Sequence, residues 1–194
     1  MKYILCLLFI LPSLAFAQIE PDVINETQEQ SVKLGADAEK AIKKFDKNFI
    51  ILKPRHFLAP VIGIFEGFPR ELPQAVAADF NGDRVRDIVV MGLTEEKKTI
   101  VVKAILIQSS QKGYFVTPID QWNARQKRGT SLKDAYNKLH DLEMYLGLSE
   151  RIEVRNSNVP LDRRSFKIEV YNSKTTLLFT EGGAIKPVAF KNKK

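Results

Sequence analysis

Eight consecutive residues, Ile100-Val101-Val102-Lys103-Ala104-Ile105-Leu106-Ile107, include one polar side chain. In an extended chain successive side chains point to opposite faces, so this run is apolar on both. Such a strand belongs inside a sheet rather than at its wet surface, which makes it the best candidate for a central strand. Its surroundings read as antiparallel hairpins. Thr99 to Gln108 and Tyr114 to Ile119 flank the turn signal Ser109-Ser110-Gln111-Lys112-Gly113, and Gln74 to Phe80 and Asp87 to Leu93 flank a polar turn. Further on, Phe166, Ile168 and Val170 alternate with Lys167, Glu169 and Tyr171, which predicts one buried face. This strand and Thr175 to Thr180 join through Asn172-Ser173-Lys174, and Gly182-Gly183 leads to a last strand from Ala184 to Phe190. Three consecutive strands make a C-terminal meander.

Two segments have helical spacing instead. Within Gln30 to Asn48, the residues Ala38, Ala41, Ile42, Phe45 and Phe49 form a narrow apolar stripe, with most lysines outside it. Leu132, Ala135, Tyr136, Leu139 and Leu142 form a second, with Ser131 and Asp134 spaced as a capping box and Gly147 as a stop. A helix over at least Ser131 to Asp141 is expected, and a strand from Leu142 to Leu148 is the competing assignment. Pro54, Pro60, Pro69 and Pro73 forbid a long helix between them and favour short extended pieces. The predicted class is α+β: an antiparallel sheet of hairpins and a meander with one or two packed helices, in a single domain over residues 30–194.

The N-terminus has a different character. Lys2 precedes an apolar run from Tyr3 to Leu11, then Pro12 and Ala15-Phe16-Ala17 before Gln18. These are the three regions of a signal peptide over residues 1–17, and the run is shorter than the roughly 20 residues that span a bilayer. The mature protein is expected to be periplasmic or secreted, without a transmembrane segment, and to begin with a polar flexible leader over residues 18–29. Cys6 leaves with the signal, which excludes disulfides, a thiol nucleophile and cysteine-based zinc sites. The formal net charge of +7 drops by one unit with Lys2. Such a balance could favour an acidic protein or an anionic envelope polymer. The basic residues are nevertheless scattered along the chain, and export makes nucleic acid an unexpected partner.

One motif carries chemistry. Asp79-Phe80-Asn81-Gly82-Asp83-Arg84-Val85-Arg86-Asp87 places side-chain oxygens at loop positions 1, 3, 5 and 9, and the Val85 carbonyl can supply position 7. A tight loop so spaced can surround a hard cation with oxygen, the donor calcium requires, so Asp79, Asn81, Asp83, Val85 and Asp87 are the candidate metal ligands. The flanking Ala75-Val76-Ala77-Ala78 and Ile88-Val89-Val90 are strand-like, which sets the loop in a hairpin. Here the chain resembles the FG-GAP/VCBS family of extracellular repeats, through Asp79, Phe80, Asn81, Gly82, Asp83 and Asp87 followed by an apolar strand. The resemblance implies calcium at the acidic positions. It spans about Ala75 to Leu93 and has no second copy, so it does not imply a propeller, which needs several blades. Arg84 stands where that family has glycine, a position that often needs positive φ, and Arg84 and Arg86 bring positive charge near the ion. The alternative is a metal-free Asx-turn hairpin in which an arginine neutralises the aspartates.

No nucleophile elbow, S-x-x-K or phosphate-cradling loop occurs, and His56 and His140 lack metal-ligand spacing. Both histidines read as surface or structural residues, and Trp122 reads as a core cap more readily than as a ligand-stacking ring. Glu66, Glu71, Glu143, Glu169 and Glu181 keep a hydrolase of dispersed carboxylates open as an alternative. An accessory or inhibitor protein that meets an acidic partner is another. The leading expectation is an exported, non-enzymatic binding or structural module, calcium-stabilised through the aspartate loop.

Overall fold

The computed structural model describes residues 31–66, 71–110, 113–127, 129–149, 157–160 and 164–189. The expected signal peptide and leader lie outside these residues. In chain order the elements are α1 (Ala36–Phe45), β1 (Ile50–Ile51), a 3₁₀ turn (Pro54–His56), α2 (Ala59–Phe65), β2 (Ala75–Ala78), β3 (Asp87–Glu96), β4 (Thr99–Ser110), β5 (Gly113–Asn123), α3 (Leu132–Lys138), β6 (Met144–Leu148), β7 (Ser165–Val170), β8 (Thr175–Glu181) and β9 (Ala184–Pro187). The class is α+β with antiparallel sheets. Among the described residues no helix is long and apolar enough to cross a membrane.

β4 is the central strand, as its two apolar faces require. Every residue from Ile100 to Ser109 is buried. β3 lies on one side, with Ile88 opposite Ile107, and β5 on the other, with Val102 opposite Trp122. β1 and β2 share the far edge of β3, where Ile50 faces Leu93 and Ala78 faces Asp87. Gly92 makes room for this arrangement. A Cβ there would stand 2.7 Å from the Ile50 carbonyl oxygen and run into the Phe49 ring. The outer strand β5 carries an irregularity opposite Ala104 and Ile105, next to Pro118. A residue without an N–H is tolerated on such an edge and blunts it against further pairing.

The two faces of this sheet bury different partners. Ile88, Val90, Ile105 and Ile107 pack on Ala38 and Ile42 of α1. Val89, Met91, Val102, Ala104 and Leu106 face Val61 of α2, Ala135 of α3 and the second sheet through Leu146, Phe166, Ile168 and Leu178. The result is a helix, a five-stranded sheet, and a third layer built from a four-stranded sheet and two helices. The second sheet runs β6-β7-β8-β9, so the meander has one strand more than the three expected.

Three local readings change. Ser131 caps α3 as expected, its Oγ accepting the Asp134 N–H at 3.1 Å. However, α3 ends at Lys138 rather than Asp141, and the competing strand exists as β6 beyond it. β6 can use Leu146 against the core and pair Tyr145 with Glu169 in the ladder, neither of which a longer helix would allow. Between the prolines the chain forms α2 rather than only extended pieces. Pro60 sits in the first turn of that helix, where its missing N–H has no intrahelical acceptor anyway. The last expected strand stops at Pro187, and Phe190 lies outside the described residues.

Phe166 and Ile168 are buried on the inner face and Val170 is half-buried, as the alternation required. Replacing Phe166 with Ala should cost about 3–5 kcal/mol in urea unfolding, the value for a deeply buried aromatic. A loss below about 1 kcal/mol would show that the two sheets do not close on this residue.

Candidate functional site: the aspartate loop

The loop leaves β2 after Ala78 and returns as β3 at Asp87. Its nine residues contain two left-handed positions, Gly82 at φ 84° and Arg84 at φ 68°. Glycine takes that conformation without steric penalty and arginine does not, so Arg84 is strained, as its place in the motif implied.

The structure brings Asp79, Asn81, Asp83 and Asp87 together, and each turns its oxygens toward N–H or O–H groups. Asp79 Oδ1 accepts the Gly82 N–H at 2.6 Å and Oδ2 the Arg84 N–H at 2.8 Å. Asp83 Oδ1 accepts the Val85 N–H at 2.8 Å. Asn81 Oδ1 accepts the Asp83 N–H at 2.9 Å, while its amide nitrogen stands 3.1 Å from Asp83 Oδ2 and 3.5 Å from Asp87 Oδ1. Val85 thus enters the network through its N–H. Asp87, with no exposed surface, accepts the Phe80 and Asn81 N–H groups at 3.0 and 3.2 Å on Oδ2 and the Ser109 N–H at 3.0 Å on Oδ1.

Neutralisation by an arginine side chain is not what holds these carboxylates. Arg84 and Arg86 are exposed, and among the described residues neither makes an ion pair. The acidic charge is met by backbone and amide dipoles. Burial pushes the Asp87 carboxyl up to about 6, opposed by the N–H groups of Ser109 and Phe80 and reinforced by the nearby Asp83 and Asp79. Among the described residues no set of three or more His, Cys, Asp or Glu side chains is gathered in a metal-holding arrangement.

The loop also reaches the second sheet. The Arg164 N–H donates to the Asp79 carbonyl at 3.3 Å, and the Thr180 hydroxyl donates to the Phe80 carbonyl. The Phe80 ring meets Phe166 edge-on with centroids 5.1 Å apart. Ser109, at the end of β4, places its Oγ 2.9 Å from Asp83 Oδ2 and 3.3 Å from Asp87 Oδ1. By sequence alone Ser109 belongs to the turn signal between two strands. Its role depends on a contact 22 residues away, and nothing local marks it.

The other candidates resolve as structural or separate. His56 is buried: Nδ1 accepts the Lys53 N–H at 2.7 Å and Nε2 lies 3.0 Å from the Tyr136 carbonyl. The ring is therefore the neutral Nε2–H tautomer, tying the 3₁₀ turn to α3. His140 is exposed, with Nδ1 near the Lys138 carbonyl at 2.6 Å. Trp122 sits in β5, half-buried against the core. Glu66, Glu71 and Glu143 are exposed, while Glu169 and Glu181 are placed near opposite ends of β8 by the strand register. At about 3.4 Å per residue that separation is roughly 20 Å along the strand, beyond the reach of a glycosidase-like pair. No family model, curated protein or solved structure matches this chain.

Burial, reinforced by Arg55, lowers the His56 pKa from 6.5 to about 4. The unfolded chain therefore takes this proton first, and the His56 contribution to stability is lost as pH falls from about 6.5 to about 4. Asp87 acts oppositely over much of that range, because its raised pKa lets the folded state protonate first. The stability difference between the parent and His56→Gln should shrink as urea unfolding is repeated from pH 7 to pH 4.5. Parallel pH curves would contradict a neutral, doubly bonded His56.

Proposed function

We propose that this chain is an exported, non-enzymatic binding or structural module whose aspartate loop locks the joint between its two sheets and takes calcium weakly. The observation that carries this reading is Asp87. It is completely buried and binds N–H groups from both the loop and β4, while Phe80, which it anchors, contacts β7 and β8. The carboxylates are thus committed to holding segments of backbone in place. The signal-like pattern over residues 1–17 supports export.

The donor chemistry of the loop suits calcium, a hard ion that takes carboxylate, amide and carbonyl oxygen. Asp79, Asn81, Asp83 and Asp87 with the Val85 carbonyl would hold it. The Asn81 amide nitrogen now lies between Asp83 and Asp87, so a cation competes with existing hydrogen bonds. Two arginines in the loop oppose its charge. Affinity in the extracellular range, about 10⁻⁴–10⁻³ M, follows from these terms.

At about 1 mM free calcium such binding should add roughly 0.4–1.4 kcal/mol. The melting temperature should rise by up to a few degrees, magnesium should do less, and Asp83→Ala should abolish the response. Identical melting curves in calcium and chelator, with Asp83→Ala still destabilising, would leave a metal-free joint. Export has its own check: intact-mass measurement of exported material should find Gln18 as the first residue, and a mass retaining residues 1–17 would contradict it.

A further inference from the structure

The basic residues look scattered in sequence, but the fold gathers several at one end of the first sheet, opposite the aspartate loop. That end is the β3–β4 turn, where Lys97 and Lys98 are exposed. The C-terminal end of α1 is brought there by the Thr94 hydroxyl, which donates to Asp46 Oδ2 at 2.5 Å; Lys44 lies in the helix's last turn and Lys47 just beyond it, both exposed. The segment after β5 arrives from the other side: Asn123 pairs with Val101, the Ala124 N–H donates to the Ile100 carbonyl at 3.0 Å, and exposed Arg125 follows. Among the described residues none of these five side chains makes an ion pair or hydrogen bond. The acidic groups nearby are mostly engaged. Asp46 bonds Thr94 and Asn48 and Glu96 bonds Lys103, while Glu95 in the same strand is exposed and, among the described residues, makes no ion pair.

Backbone strain coincides with this charge. Lys97, Lys98 and Arg125 have φ of 49°, 65° and 52°. A two-residue hairpin turn with both central residues left-handed normally takes Asn-Gly, yet here it holds two lysines. Strain kept at an exposed turn, where an easier residue would remove it, points toward function rather than stability.

We propose that this end of the sheet is a docking surface for a linear polymer of closely spaced anionic groups. Two strand spacings of about 4.8 Å separate β3, on which the end of α1 is fastened, from β5, so these charges spread over about 10 Å of the sheet's end, which suits a run of charges better than one small anion. Four of the five are lysines, point charges without the bidentate geometry that selects a single phosphate or carboxylate. A membrane surface is the poorer fit. The large exposed apolar side chains among the described residues, Ile64 and Phe115, lie on α2 and toward the opposite end of β5. The surface is distant from the aspartate loop, so chelating calcium should leave its binding unchanged.

The test is fluorescence anisotropy of the full mature chain with labelled linear polyphosphate across a series of salt concentrations. Binding should weaken with salt, with each contact adding about 0.7 to the logarithmic slope by analogy with single-stranded nucleic acid. The double variant Lys97→Asn, Lys98→Gly relieves the turn while removing its charge. It should melt higher than the parent, bind at least about 10-fold more weakly near 0.1 M salt, and lose about 1.4 units of slope, about 0.7 for each lysine removed. A control removing the same charge elsewhere, Lys138→Gln with Lys174→Gln, should retain parental binding. The proposal is overturned if the parent does not bind, if the turn variant binds like the parent, if the control weakens binding equally, or if phosphatidylglycerol vesicles of matched charge bind more tightly.

Discussion

The carboxylate of Asp87 is the contact on which the arrangement of the layers depends. It lies at the first residue of β3, with no exposed surface, and fixes the incoming loop at Phe80 and Asn81 and the neighbouring strand at Ser109. A buried carboxylate without donors would be costly, and several N–H groups aimed at it offset that cost. Holding Asn81 and Phe80 in turn sets the Phe80 ring against Phe166 and its carbonyl against Thr180. One acidic side chain thereby links the hairpin of the first sheet to the inner face of the second. The strained Arg84 is held by the same network through its N–H bond to Asp79.

Much of this fold is legible in sequence because its strands follow simple periods. The doubly apolar run at Ile100 to Ile107 announces β4, and the alternation at Phe166 and Ile168 announces the face that meets it. What could not be read is long-range. His56 looks like a loop residue after Lys53-Pro54-Arg55, and its burial depends on Tyr136, 80 residues later. Local pattern alone carries α3 too far, because Leu139 and Leu142 continue the helical stripe. In the folded chain both are buried, but as the exit from the helix and the approach to β6.

The site was half legible for the same reason. Local spacing identified Asp79, Asn81, Asp83 and Asp87 as one cluster, and the structure brings those four together. Spacing could not show that Ser109 completes it, or that Val85 contributes its N–H. The basic end was hidden more completely. Its turn lacks the Asn or Gly that normally marks a two-residue hairpin, and its lysines come from segments about 50 residues apart in sequence that only sheet pairing brings together.

Native-state hydrogen exchange on the individual amides asks directly whether the loop is a joint. The N–H groups of Phe80, Asn81 and Ser109 should exchange only through global unfolding, with the same opening free energy as Ile105 in the central strand, and Asp87→Asn should make them exchange by local opening while Ile105 stays protected. If in the parent protein those three amides exchange rapidly while β3 and β4 remain protected, the aspartate loop is a surface appendage and the two sheets are held together without it.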